Sequence, residues 1–250
     1  MLRSHFTPHA NIEQTATGWH LQIPAGESGD YRLAQLDNYP LMARKDFPLS
    51  SPASLSLSCR ASSSSIPGTW GFGFWNDPFA FSLGLKGMAR RLHALPNACW
   101  FFSASPENHL SFNDKLSGSG FLAQTFRSPK IPSVLLLPGL ICTPLLFIKK
   151  FSKQLRYLVG RIIKEDSKLL YVDQTQWHTY NLSWHPTEVV FSIDNSVVFH
   201  SPISPQGPLG IVIWIDNQYA AWTPAGKLRM GTLKQVTSDW IDIENVEIKQ

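Results

Sequence analysis

The stretch "QWHTYNLSWHPTEVVFSIDNSVVF", residues 176–199, decides how the rest of this 250-residue chain is read. Its two halves, "HTYNLSW" (178–184) and "EVVFSID" (188–194), alternate apolar and polar residues with period two, the pattern of half-buried antiparallel strands. The pattern recurs on either side. "SLSLSCRAS" (54–62) puts Leu55, Leu57, Cys59 and Ala61 on one face, with serines and Arg60 on the other. "GFLAQTF" (120–126), "KLLYVD" (168–173), "LGIVIWID" (209–216) and "DWIDIENVEI" (239–248) read as further strands, separated by Pro and Gly turn signals. So many strands at this spacing predict an all-β sandwich or barrel. No internal repeat is visible.

Composition bounds the function classes. An apolar fraction of 43% and a charged fraction of 16% describe a folded globular chain. The nine Trp and fifteen Phe supply a thick core or an aromatic surface. Three cysteines, Cys59, Cys99 and Cys142, without C-x-x-C spacing argue against a disulfide framework or a zinc site. The N-terminal "MLRSHFTPHANIEQ" has no apolar core of a secretory signal, which sets a cytoplasmic expectation. The net charge of +4 is concentrated in residues 149–164, where Lys149, Lys150, Lys153, Arg156, Arg161 and Lys164 occur with no acid. Without those six the chain carries −2, so a nucleic-acid surface is not expected.

One segment departs from the strand pattern. "IPSVLLLPGLICTPLLFI" (131–148), which includes Leu136, Leu140 and Phe147, is free of charge but interrupted by Pro132, Pro138 and Pro144. Each proline removes a helix hydrogen bond, which argues against a straight membrane span. In the basic stretch that follows (149–166), Phe151, Leu155, Leu158, Val159, Ile162 and Ile163 recur at helical spacing. The 131–166 insertion has two readings. It is a foot on an anionic membrane surface, with Lys149, Lys150, Lys153 and Arg156 on the headgroups. Alternatively, it is a lid folded back on the sandwich.

Several of these segments together resemble one family. "GTWGFGFW" (68–75) is similar to the G-T-W-P-A-F-W strand of laminarinase-like family 16 glycoside hydrolases. The 176–199 hairpin resembles their F-H-x-Y-x-I-x-W…I-x-F-x-V-D-G hairpin, and "DWIDIENVEI" resembles their closing strand. The match covers about residues 55–126 and 170–248. It implies a single concanavalin A-like jelly roll over 1–250: two antiparallel sheets, with ligands lying across the concave one. Where that family carries E-x-D-x-x-E, this chain has "PNACWFFSAS" (96–105), with no acid before Glu107. Retaining hydrolysis needs two carboxylates about 5–5.5 Å apart, and neither face of this strand offers them.

The candidate site residues follow. On 70–77, Trp70, Phe72 and Phe74 share the face expected in the core, and Gly71, Gly73, Trp75 and Asp77 share the face expected in the groove. Trp75, Trp100, Trp214, His178 and Asn217 are the expected ligand contacts; His178 matches the family's histidine beside the groove. Asp77 reads as a turn residue or a groove acid. Asp216, with Asn217 and Gln218, reads as a hairpin turn or a second acid. No metal-ligand spacing, Walker pattern or Rossmann glycine pattern is present, so no metal or cofactor is expected. The first expectation is non-hydrolytic binding of an apolar or amphiphilic small molecule in the groove. The alternative is a cofactor-free isomerase, cyclase or hydratase using Asp77 or Asp216. The weakest is a glycan hydrolase with relocated acids.

Overall fold

The computed structural model describes residues 2–78, 93–132, 145, 146 and 148–250. Leu136, Leu140, Phe147 and Cys142 lie outside the described residues. In chain order the elements are β1 (Arg3–Phe6), β2 (Asn11–Gln14), β3 (Gly18–Ile23), β4 (Leu33–Asp37), β5 (Ala53–Ala61), β6 (Thr69–Trp75), β7 (Ala98–Ala104) and β8 (Gly120–Arg127). A helix, α1 (Lys149–Ile162), follows, then β9 (Lys164–Leu169), β10 (His178–Trp184), β11 (Val189–Ile193) and β12 (Ser196–Ser201). The chain closes with β13 (Gly210–Asp216), β14 (Gln218–Trp222), β15 (Leu228–Thr232) and β16 (Asp239–Lys249).

Among the described residues the strands form two antiparallel sheets of seven. The first runs β1-β4-β13-β6-β7-β8-β9 and the second β12-β11-β10-β5-β16-β3-β2, with β14-β15 as a separate ribbon. The predicted hairpin is β10–β11, with Tyr180 opposite Ile193 and Trp184 opposite Val189. Alternation sends Tyr180, Leu182 and Trp184 inward against Trp70, Phe72, Phe74 and Phe101 of the first sheet. Phe72 meets Tyr180 edge to face at 5.1 Å, and Phe74 lies 5.9 Å from Trp184. The Phe face of β6 therefore fills the core.

The helix is shorter than its sequence pattern predicts. It stops at Ile162, because Ile163 is extended (φ −87°, ψ 115°) and Lys164 opens β9, which pairs with β8. The strand expected at 168–173 accordingly lies earlier, at 164–169. Among the described residues no helix is long and apolar enough to cross a membrane.

Candidate functional site

The inner strands of the first sheet are buried on both faces. Strands β6, β7, β8 and β13 send alternate residues away from the sandwich core. There Trp100, Phe102, Leu122, Phe126, Val212 and Trp214 form a second buried apolar cluster with Trp75 packed against it. Register sets the layout. One row across the sheet reads Asp37, Val212, Gly73, Trp100, Gln124, Ser167. The next reads Gln35, Trp214, Gly71, Phe102, Leu122, Leu169.

Two glycines make this face possible. A Cβ on Gly71 would lie 2.4 Å from the Phe101 carbonyl oxygen and 3.0 Å from Trp214 Cη2. One on Gly73 would lie 2.6 Å from Trp100 Cβ. Bare backbone thus leaves room for three indoles to meet. Trp75 and Trp214 stack nearly parallel (6°) at 6.3 Å, and Trp100 lies 6.1 Å from Trp75 and 5.6 Å from Trp214. The β6–β13 register runs unbroken from Thr69–Asp216 to Trp75–Gly210, so no bulge reverses the faces. Sequence parity on β6 already implied this side for Gly71, Gly73 and Trp75.

Each of the three indole N–H groups has a fixed partner. Trp75 Nε1 donates to the Tyr39 hydroxyl at 2.5 Å, and Trp100 Nε1 to Gln124 Oε1 at 3.1 Å. Trp214 Nε1 donates to Thr69 Oγ1 at 3.0 Å, and the Thr69 hydroxyl donates to Asp216 Oδ1 at 2.7 Å. Asp216 Oδ1 also accepts from the Gln218 amide, and Oδ2 from Tyr31, each at 3.2 Å. Burial raises the Asp216 carboxyl from its ordinary 3.8 to about 7, against the opposing pull of those donors. The carboxyl therefore holds its proton to a higher pH than an exposed aspartate does.

Helix α1 and the loop before β8 sit on this cluster. Val159, Ile163, Leu110 and Phe112 pack against it, and Phe126, 6.1 Å from Trp100, meets Phe112 edge to face at 6.4 Å. Arg156, 4% exposed, fastens the helix. Its guanidinium donates to the Trp222 and Ser111 carbonyls, both at 2.8 Å, and pairs with Asp114. Ser152 Oγ accepts from Trp222 Nε1 at 2.9 Å. Glu165 at the start of β9 accepts from Ser111 Oγ and, at 2.8 Å, from the Phe112 amide. Burial raises its carboxyl above the ordinary range.

Several sequence expectations are corrected. Arg156 is no headgroup ligand, because its charge is buried against the Ser111 and Trp222 carbonyls; Lys149, Lys150 and Lys153 do face outward. His178 lies on the second sheet, opposite Cys59, where Nδ1 is 2.6 Å from Asp194 of the β11–β12 turn. It is not part of the tryptophan cluster. Asn217 is fully buried and spent: Oδ1 accepts from the Arg32 amide, and Nδ2 donates to the Asp30 and Leu233 carbonyls, each at 2.9 Å. It leaves nothing for a ligand and joins β13 to the β14–β15 ribbon rather than turning a hairpin. Asp77 lies beyond the end of β6 with φ 48°, and its carbonyl accepts from Arg44.

Sequence reasoning missed Gln124, Thr69, Tyr31, Glu165 and Ser167. Gln124 was findable, since it is the lone amide sharing a strand face with Leu122 and Phe126. Among the described residues no group of three or more His, Cys, Asp or Glu could hold a metal ion. A surface pocket of about 570 Å³ at Glu107, Tyr219 and Arg229 lies off the tryptophan face and touches none of its rings.

No protein-family model and no curated protein matches the sequence. Solved structures are similar in fold. A GlcNAcα1-4Gal-releasing endo-β-galactosidase from Clostridium perfringens superposes with a TM-score of 0.52 at 10% identity over 98% of this chain, which spans 57% of that protein. A β-glucanase from Bacillus licheniformis gives 0.49 at 10% identity (100% of this chain, 92% of that one). A family 16 endo-glucanase from Bacteroides ovatus gives 0.48 at 10% (99% and 94%). At such identity the likeness concerns fold alone. The chain has the two-sheet antiparallel, concanavalin A-like jelly roll that its hairpin and G-T-W strand resemble.

Proposed function

We propose that this protein binds, without hydrolysis, an apolar or amphiphilic molecule against the tryptophan face of the first sheet, with α1 as the lid. The observation that carries the reading is the meeting of Trp75, Trp100 and Trp214 over Gly71 and Gly73. Indoles offer large apolar area, at about 25 cal/mol per Å² removed from water. β7 presents Ala98, Trp100, Phe102 and Ala104 on that side and no carboxylate. Native mass spectrometry of the purified protein, together with tryptophan quenching by a long-chain hydrocarbon delivered from cyclodextrin, tests it. One bound molecule per chain is expected; binding of glucan oligosaccharides alone would overturn the apolar reading.

The outward flank of α1 supports a membrane-surface location for this activity. Ile148, Leu158 and Ile162 are 55%, 54% and 48% exposed, and Lys149, Lys150, Lys153 and Arg161 are exposed on the same helix. Apolar insertion beside basic residues fits an anionic lipid surface, at about 1 kcal/mol per Lys or Arg. Co-sedimentation with anionic vesicles, abolished by a Lys149→Glu, Lys150→Glu, Lys153→Glu triple variant, is the expected result. Equal partitioning of the variant and the parent chain would sink it.

A second reading draws on Asp216. A buried carboxyl whose pKa is raised by burial, hydrogen-bonded to Thr69 and Tyr31 beside Trp214, has the character of a general acid toward a hydrophobic substrate. If it holds, Asp216→Asn abolishes turnover while leaving binding intact.

A further inference from the structure

Gln124 is fully buried on the tryptophan face, and its orientation is fixed by chemistry. The indole N–H of Trp100 is only a donor, so the atom 3.1 Å away must be the amide oxygen. Nε2, with two hydrogens, therefore points away from Trp100. It has no hydrogen-bond partner among the described residues. Directly opposite in the β8–β9 register stands Ser167, whose Oγ is likewise buried and unpartnered. A buried donor without an acceptor costs a factor of about 5 to 150 in equilibrium constant. Two such groups side by side, at the edge of an aromatic cluster, mark a place where an acceptor belongs.

We propose that Gln124 and Ser167 form the polar end of the tryptophan face and receive the carbonyl or hydroxyl oxygen of a neutral molecule whose apolar body lies along Trp100. This deepens, and rests on, the binding reading above. The donor set selects the ligand. Two amide hydrogens turn away a cation. Glu165, two residues before Ser167 on the same side of β9, disfavours an anion. An oxygen acceptor without charge remains, and Ser167 can accept in return from a hydroxyl.

The test uses a matched pair, 2-tridecanone and tridecane, delivered from cyclodextrin and followed by tryptophan fluorescence. The ketone is expected to bind about tenfold more tightly, the worth of one net hydrogen bond. The ¹³C-labelled carbonyl should show its infrared stretch shifted to lower frequency when bound. Gln124→Leu should abolish both the preference and the shift. Because Gln124→Leu also strips Trp100 of its acceptor, Ser167→Ala serves as the milder variant and should lose part of the preference. Equal binding of ketone and hydrocarbon by the parent chain overturns the proposal, as does a preference that survives in both variants; either result would assign the two groups to a bridging water. Failure of both probes to bind overturns the underlying binding reading itself.

Discussion

The outer faces of the two sheets are built from the same alternation and could hardly differ more. On the second sheet, β5 reads buried and half-buried in strict turn, with Ser54, Ser56, Ser58 and Arg60 directed outward. On the first sheet, β7 is buried at six of its seven positions and β13 at all seven. An antiparallel sheet ordinarily leaves one face to water, and strands covered on both faces read as near-continuous apolar runs. "ACWFFSA" and "GIVIWID" are such runs, and "ASLSLSCRA" is not. The lesson is that one jelly roll carries two cores, one between its sheets and one under α1.

The sharpest way to break that contrast is truncation of Trp100. Its ring touches Trp75, Trp214, Phe102 and Phe126, so Trp100→Ala should cost about 3–5 kcal/mol in urea unfolding. Ser58→Ala on the opposite outer face should stay within about 0.5 kcal/mol. A Trp100→Ala loss below about 1 kcal/mol would mean that the first sheet's outer face is no core.

Asp216 contributes a pH dependence to the second core. Below its unfolded-state value of 3.8 both states hold the proton, and the contribution to stability is complete. Between there and about 7 only the folded chain keeps the proton, so stability falls as pH rises. Well above 7 the carboxylate is ionised while shielded from water and the loss is complete, roughly 4 kcal/mol as an upper bound. Asp216→Asn keeps the acceptor for Thr69 and should flatten this slope, ending more stable than the parent chain at pH 8. Parallel stability-versus-pH curves for the two proteins would remove Asp216 from the second core.

Much of this was legible in the residues. Period-two alternation gives the sheets, and parity on "TWGFGFW" sends the phenylalanines to one core and the Gly-Gly-Trp face to the other. Three things were not. Arg156 reads as a solvated charge because its partners, at 111, 114 and 222, come from segments distant in sequence. Glu165 was hidden inside a helix pattern, and Ser167 fell between it and the strand expected at 168–173, since no Gly or Pro marks the step from α1 to β9. His178 was placed by resemblance beside the groove, whereas pairing with β5 puts it on the other sheet.

The smallest expected effect lies at the most elaborate polar group on the second sheet's outer face. Arg60 donates to Asp242 at 3.0 Å through Nε and 2.9 Å through Nη2, and its guanidinium lies 4.9 Å from the Trp177 ring and 5.3 Å from Trp240. His20 shares Asp242 at 2.6 Å. With Arg60 more than a third exposed, solvent screens the pair, and exposed cation–π contacts add about 0.5–1 kcal/mol. Arg60→Ala should therefore cost about 1 kcal/mol, and a double-mutant cycle with Asp242→Asn should return a coupling of about 0.5 kcal/mol that shrinks in high salt. A cost of about 3 kcal/mol or more, unmoved by salt, is the size of a buried pair broken. That result would make the second sheet's outer face as tightly built as the first's, and the difference between them would then lie in residue type rather than in burial.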